Sequence, residues 1–132
     1  MSIHLVGGGR SDDYDGEVYF TFIAEATTRA AVAGRDTPRI AVLLVGGGDE
    51  AAQYADSYRA QLRRAGDCDP VVQWVDEGEV YASSVLTGID GLLVGGGHTP
   101  SYLLAVTPLV DEIRLLVADD LPYLGFSAGA MI

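Results

Sequence analysis

Residues 91–97 read GLLVGGG, a short apolar run that stops at three glycines. Two earlier stretches, 3–9 and 40–48, have the same shape: an apolar, β-branched run that ends in Val-Gly-Gly-Gly. These runs are continuous rather than alternating, which is typical of parallel strands buried on both faces. Further strands are predicted at 71–75 and 122–126.

Helical patterns fill the intervals between these strands. They are predicted at residues 17–33, 49–65, 79–86, 100–106 and 108–118. Regular alternation of strand and helix is typical of βαβ units. The sequence therefore predicts an α/β fold, an open doubly wound parallel sheet with helices on both faces. No internal boundary divides residues 1–132, so we expect a single α/β domain.

Composition limits the classes of partner. The formal net charge of −11 disfavours nucleic acid and anionic membranes, because phosphate would be repelled over most of the surface. No run approaches the ~20 apolar residues of a membrane span. The single cysteine, Cys68, excludes an internal disulfide and fits a cytoplasmic location. Flanking aspartates disfavour its thiolate. We expect no metal and no cofactor.

The segment 125–129, Gly-Phe-Ser-Ala-Gly, has the form of a nucleophile elbow directly after a predicted strand. Ligands of open α/β sheets bind outside the carboxyl ends of the strands, and both this turn and the glycines at 95–97 follow such ends. The N–H group of Ala128 and an N–H group of the Gly95–Gly97 turn are therefore candidates for an oxyanion site beside Ser127.

Two stretches together, GLLVGGGHTPSYLL and LPYLGFSAGAMI, resemble the family of peptidase E (aspartyl dipeptidase) and cyanophycinase. These serine hydrolases have a class I glutamine amidotransferase-like fold, a flavodoxin-like arrangement. The resemblance implies that Ser127 is the nucleophile and that N–H groups near Gly96, Gly97 and Ala128 bind the oxyanion. The implied reaction is acyl transfer to water, on a small peptide or isopeptide that contains an acidic residue.

The chain departs from this family at two points. His98 stands where the family has an amide or an acid, and it is interpreted as a substrate contact or, alternatively, as a substitute base. The family's histidine and its acidic partner follow the nucleophile, whereas the only histidines here are His4 and His98. We therefore expect the N-terminal portion of a longer hydrolase domain, incomplete at its C-terminus.

In this interpretation the strand at 122–126 is the last one and has an open apolar edge. A complementing C-terminal segment or a second copy in a homo-oligomer would cover that edge. Arg10, after the first strand, is a candidate partner for a substrate carboxylate. Asp119 and Asp120 precede their strand, which puts them at the wrong edge of the sheet for catalysis.

Two other functions stay open from the sequence. One is a non-catalytic α/β module that binds a small ligand or a partner at its glycine-lined edge, with Ser127 as a relic. The other is an α/β-hydrolase-type esterase, which shares the elbow but has a different oxyanion loop and a longer chain before it.

Overall fold

The computed structural model describes residues 3–6, 16–46, 48–95 and 99–126. Within them, one parallel sheet of five strands has the order β1-β5-β4-β2-β3. The strands are β1 (Ile3–Val6), β2 (Arg39–Val45), β3 (Asp69–Val75), β4 (Gly91–Val94) and β5 (Tyr123–Phe126). The helices are α1 (Gly16–Val32), α2 (Gly48–Ala65), α3 (Thr99–Val106) and α4 (Val110–Ala118), with 3-10 turns at Ser83–Leu86 and Thr107–Leu109.

The central strand β2 shows why its sequence is continuously apolar. Ile40, Val42 and Leu44 pack into one core, and Ala41 and Leu43 pack into the core on the opposite face. All five of these side chains are at most 3% exposed. A strand covered on both faces has no solvent-facing position, so the prediction of a doubly buried parallel strand is confirmed.

Helices cover both faces of the sheet. Phe22 of α1 and Tyr58 of α2 are buried in the first core, whereas Tyr102 of α3 is buried in the second. Leu116 of α4 packs against the second core. The predicted α/β architecture, a parallel sheet between two helical layers, is therefore present.

The strand order reverses between β2 and β4. From β2 the chain continues to β3 on one side, whereas the next strand, β4, pairs with the other side of β2. Such a reversal separates the loops that leave the two strands and opens a crevice at their carboxyl ends.

The expected open edge on the strand at 122–126 is wrong. Residues Tyr123–Phe126 form β5, which pairs with β4 on one side and with β1 on the other. The first strand of the chain fills the position next to β5, so no complementing segment or second copy is needed there. Within the described residues the edges of the sheet are β1 and β3.

The edge strand β3 contains Pro70. The N–H of Asp69 donates to the carbonyl of Pro38 at 2.8 Å, so residue 69 faces β2 and residue 70 faces outward. Proline has no N–H to donate, which is why it is tolerated on the unpaired side of a strand.

The predicted helix over 79–86 is also wrong, since only Ser83–Leu86 forms a 3-10 turn. The Glu79 carboxylate accepts the N–H of Asp76 at 2.8 Å, and the N–H of Glu79 donates back to the Asp76 carbonyl at 3.0 Å. Gly78 has a φ of 91° in this reverse turn. The acid that resembled a helix start closes a turn instead.

None of the helices in the described part of the chain combines the length and the apolar character that crossing a bilayer requires.

Candidate functional site

The strands that lead to the two predicted turns are direct neighbours. β4 and β5 run parallel, with Leu93 opposite Leu124 and Val94 opposite Gly125. Their carboxyl ends therefore lie side by side at one edge of the sheet. This confirms the expectation that the strand before the triglycine turn adjoins the strand before Ser127.

The residues predicted to carry the chemistry lie outside the described residues. They are Arg10, Gly96, Gly97, His98, Ser127 and Ala128. The structure therefore gives the positions of the strand ends that precede them, and their roles stay predictions. The described side chains include no histidine.

Gly95 follows the last residue of β4, and a side chain there would require a buried neighbour to shift. A Cβ atom at this position would lie 2.5 Å from Leu44 Cδ2, 3.2 Å from the Tyr58 hydroxyl oxygen and 3.3 Å from Tyr58 Cε2. The N–H of Gly95 donates to the Leu43 carbonyl at 3.0 Å. The glycine is therefore required for close packing of α2 and β2 against the strand end.

Tyr81 joins the carboxyl ends of β2 and β3. Its hydroxyl donates to the Leu44 carbonyl and lies 2.9 Å from the carbonyl oxygen of Gln73. The N–H of Tyr81 donates to the Ala105 carbonyl of α3 at 3.0 Å. Burial raises the pKa of this phenol, which keeps it protonated and able to donate.

Tyr102 and Tyr58 approach the same edge from opposite faces of the sheet. The Tyr102 hydroxyl is hydrogen-bonded to the backbone of Val45, at the end of β2. Burial raises the pKa of Tyr102 to about 12, and the neighbouring phenols of Tyr58 and Tyr54 add to the rise. Phenols from α2 and α3 are therefore close enough at this edge to influence each other electrostatically.

These tyrosines form a carboxyl-edge network, defined here as Tyr58, Tyr81 and Tyr102. The sequence analysis did not identify it. Tyr54 and Tyr58 are four residues apart, so they lie on one face of α2, which is a usable signal. Nothing local connects Tyr81 with the carbonyl at the end of β2, because that contact joins residues 37 positions apart.

A cleft of about 700 Å³ lies at the opposite, amino edge of the sheet. The last turns of α1, the segment 86–90 and the end of α4 form its walls. Asp90, which is 0% exposed, lies at the back of the cleft just before β4. The cleft therefore lies at the amino ends of the strands, whereas the predicted turns follow their carboxyl ends.

The Asp90 carboxylate is fully engaged with the residues around it. It accepts the Arg39 N–H at 2.8 Å and Arg35 Nε at 3.1 Å, and it also pairs with Arg35 Nη2. The N–H of Asp90 returns a bond of 2.7 Å to the Arg39 carbonyl. The hydrogen bond to Asp90 raises the pKa of Arg35. This cluster fixes the segments before β2 and β4 to each other.

The second charged contact in the cleft joins α1 to the end of α4. Arg29 donates to the Asp119 carbonyl, and its Nη2 lies 3.7 Å from Asp119 Oδ2. The Asp119 side chain is 85% exposed. Asp119 and Asp120 lie between α4 and β5, and so at the amino edge of the sheet, as their position before the strand predicts.

Cys68 is half-buried, and desolvation raises the pKa of its thiol, with Asp69 and Asp67 adding to the rise and Arg63 opposing it. Such a thiol is a poor nucleophile near neutral pH. Among the described residues, no group of three or more histidine, cysteine, aspartate or glutamate side chains comes together as a metal site.

Comparison with known proteins gives no match for this chain, either among the models of protein families or among curated proteins.

Proposed function

We propose that the chain belongs to a serine-type hydrolase of the peptidase E and cyanophycinase kind, with the class I glutamine amidotransferase-like fold. It acts as a dipeptidase or isopeptidase on a small peptide substrate, in the cytoplasm. Ser127 is the nucleophile, and the N–H groups of Gly96, Gly97 and Ala128 bind the oxyanion. His98 contacts the substrate, and Arg10 pairs with a substrate carboxylate.

One observation carries this proposal. The strand before the triglycine turn and the strand before the serine elbow are adjacent and parallel, in the register Val94 to Gly125. Acyl transfer needs a nucleophile and oxyanion donors about 3 Å from one reacting carbonyl. Two turns that leave neighbouring strand ends at one sheet edge satisfy the topological part of that requirement.

The proposed reaction needs a base for the serine hydroxyl. A free hydroxyl is a weak nucleophile near neutral pH, and a histidine held by an acid is the usual activator. In the family that the chain resembles, this histidine and its acidic partner follow the nucleophile in chain order. The Ser127 oxygen would attack the substrate carbonyl, the base would take its proton, and the amine would leave with that proton.

Labelling with a fluorophosphonate tests the proposal. The full-length encoded protein is incubated with the probe, and the site of attachment is read by peptide mass spectrometry. We expect attachment at Ser127, and loss of attachment in Ser127→Ala. Absence of labelling at Ser127 in a folded wild-type protein would refute the assignment.

A second candidate function is ligand binding without catalysis. The cleft of about 700 Å³ that favours it lies at the amino edge, not at the glycine-lined edge where the sequence predicted such binding. In that case Ser127 is a relic and the wild-type protein stays unlabelled. Small-molecule thermal-shift screening of Ser127→Ala and wild type would then give equal stabilisation by the same compounds.

A further inference from the structure

We infer that Tyr58 and Leu44 are positioning residues for the turn that follows β4. They fix the backbone at Gly95 and thereby set the direction in which the chain leaves the strand towards the proposed oxyanion donors. The inference rests on the proposed function, because it assigns these side chains a role in that reaction.

The steric evidence is the space at Gly95. Leu44 from β2 and Tyr58 from α2 occupy the volume that a side chain at residue 95 would need, with the closest approach at 2.5 Å. Both side chains are almost completely buried, at 3% and 2% exposure. Neither can withdraw into solvent, so a methyl group at residue 95 requires either the buried Leu44 side chain or the strand end to shift.

Hydrogen bonds hold the surrounding backbone in place. Gly95 donates to the Leu43 carbonyl, and Gly46, at the end of β2, donates to the Val75 carbonyl at 2.8 Å. Tyr81 holds the carbonyl of Leu44, the residue that touches Gly95. The Leu44 backbone is therefore held by a hydrogen bond, and its side chain is packed in the core.

Gly91 offers a matched control at the other end of the same strand. A Cβ there would lie 2.9 Å from Phe22 Cζ and 3.0 Å from Ile40 Cδ1, so crowding is comparable. Gly91 lies at the amino end of β4, beside Asp90 and away from the proposed site. Crowding at residue 91 stresses the core without touching the end of β4 from which the turn leaves.

The test compares the rate constant of fluorophosphonate attachment to Ser127 in the full-length protein, per folded molecule. Gly95→Ala should lower it at least about tenfold, because small displacements of catalytic groups are costly. Gly91→Ala should leave it within about twofold of wild type while lowering the melting temperature. Equal rate constants in Gly95→Ala and Gly91→Ala would overturn the inference.

A second pair keeps the test informative if Gly95→Ala does not fold. Tyr58→Phe removes only the hydroxyl beside Gly95, and Tyr123→Phe removes a buried hydroxyl from the amino end of β5. We expect a slower rate only in Tyr58→Phe, together with a shift of the ³¹P resonance of the adduct, which reports hydrogen bonds to its phosphoryl oxygen. Identical rates and resonances in the two variants would refute the role of Tyr58.

A final variant of the experiment relieves the crowding at residue 95. Leu44→Val shortens the side chain and so removes the Cδ2 atom that a Cβ at residue 95 would strike, and the double variant Gly95→Ala/Leu44→Val should recover part of the lost rate. If a folded double variant shows no recovery of the labelling rate constant, the proposed role of Leu44 is contradicted. Wild-type protein that stays unlabelled would instead refute the proposed function, which distinguishes the two failures.

Discussion

The two edges of the sheet are held together by different chemistry. At the amino edge a buried carboxylate, Asp90, joins the starts of β2 and β4 through Arg35 and the Arg39 backbone. At the carboxyl edge the hydroxyls of Tyr81 and Tyr102 bind main-chain atoms at the ends of β2 and β3. Buried ion pairs interact strongly, but removing their charges from water costs free energy. Neutral phenols fix the strand ends without adding a permanent charge beside the turn where Ser127 is proposed to act.

The largest loss of stability should come from removing the Asp90 carboxylate at the amino edge. Asp90→Ala should lower the free energy of unfolding by about 3 kcal/mol, since it removes charged hydrogen bonds of a buried carboxylate and leaves the Arg39 N–H without its acceptor. Urea unfolding followed by circular dichroism measures this. Asp119→Ala, at an exposed ion pair of the same cleft, is the control and should change the free energy by less than about 1 kcal/mol. Equal losses of unfolding free energy in the two variants would show that burial does not make the Asp90 contacts stronger than those of Asp119.

Alkaline pH should weaken the phenols at the carboxyl edge. The folded pKa of Tyr102 is raised to about 12 from an ordinary value of 10, so the folded protein holds a proton that the unfolded chain releases. Its contribution is complete below about pH 10 and is lost as the pH rises towards about 12. We expect a loss of at least roughly 1 kcal/mol at about pH 11, measured by urea unfolding alongside tyrosinate absorbance. Tyr102→Phe should reduce this pH dependence, and an unchanged slope in that variant would contradict the assignment.

Removal of one network hydroxyl should have a smaller effect. Tyr81→Phe should lower the free energy of unfolding by about 1 kcal/mol, because the carbonyls that it contacts keep their ladder partners. Amide hydrogen exchange should accelerate at the paired ends of β2 and β3 and stay unchanged at the amino end of β4. Faster exchange at both edges would mean that the network does not act locally.

The smallest predicted effects concern two helix ends that close with the same motif. After α1, Arg35 donates to the Ala30 carbonyl around Gly34, whose φ is 83°. After α4, Leu121 donates to the Leu116 carbonyl around Asp120, whose φ is 69°. Both are Schellman caps, and glycine suits the left-handed position best.

Exchanging the residues at these caps should therefore give opposite signs. Gly34→Ala should cost about 1 kcal/mol, and Asp120→Gly should stabilise the protein by about 0.5 kcal/mol. Thermal unfolding of both variants measures the two shifts in melting temperature. Shifts of the same sign would contradict the role of the left-handed backbone.

The local elements followed closely from local patterns. The runs at 40–45 and 92–94 are continuous and apolar because both faces of their strands are covered, and this requirement is visible in the sequence alone. The wrong prediction over 79–86 has a simple cause. An acidic residue such as Glu79 can either begin a helix or close a turn, and the local sequence does not distinguish the two. Gly78 with its positive φ decided between them.

The candidate site was only partly predictable, for a related reason. The glycine turns and the serine elbow are local motifs, and their strands are neighbours as expected. Asp90, buried and paired with Arg35, stands in the sequence as a single acid between Ile89 and Gly91, with no local partner to indicate it. Tyr81 and Tyr102 likewise depend on backbone groups of β2, which is distant from both in the sequence.

Apart from residues 79–86, the sequence by itself determined which segments become strands and helices, because burial on one or two faces sets the spacing of apolar residues in each element. The tertiary structure alone decided that β1 lies beside β5 and that the phenols gather at the carboxyl edge. Strand order and side-chain networks depend on contacts between residues far apart in the chain. Such contacts leave no period in the sequence, since each partner is chosen by the space and the unsatisfied polar groups of the assembled core.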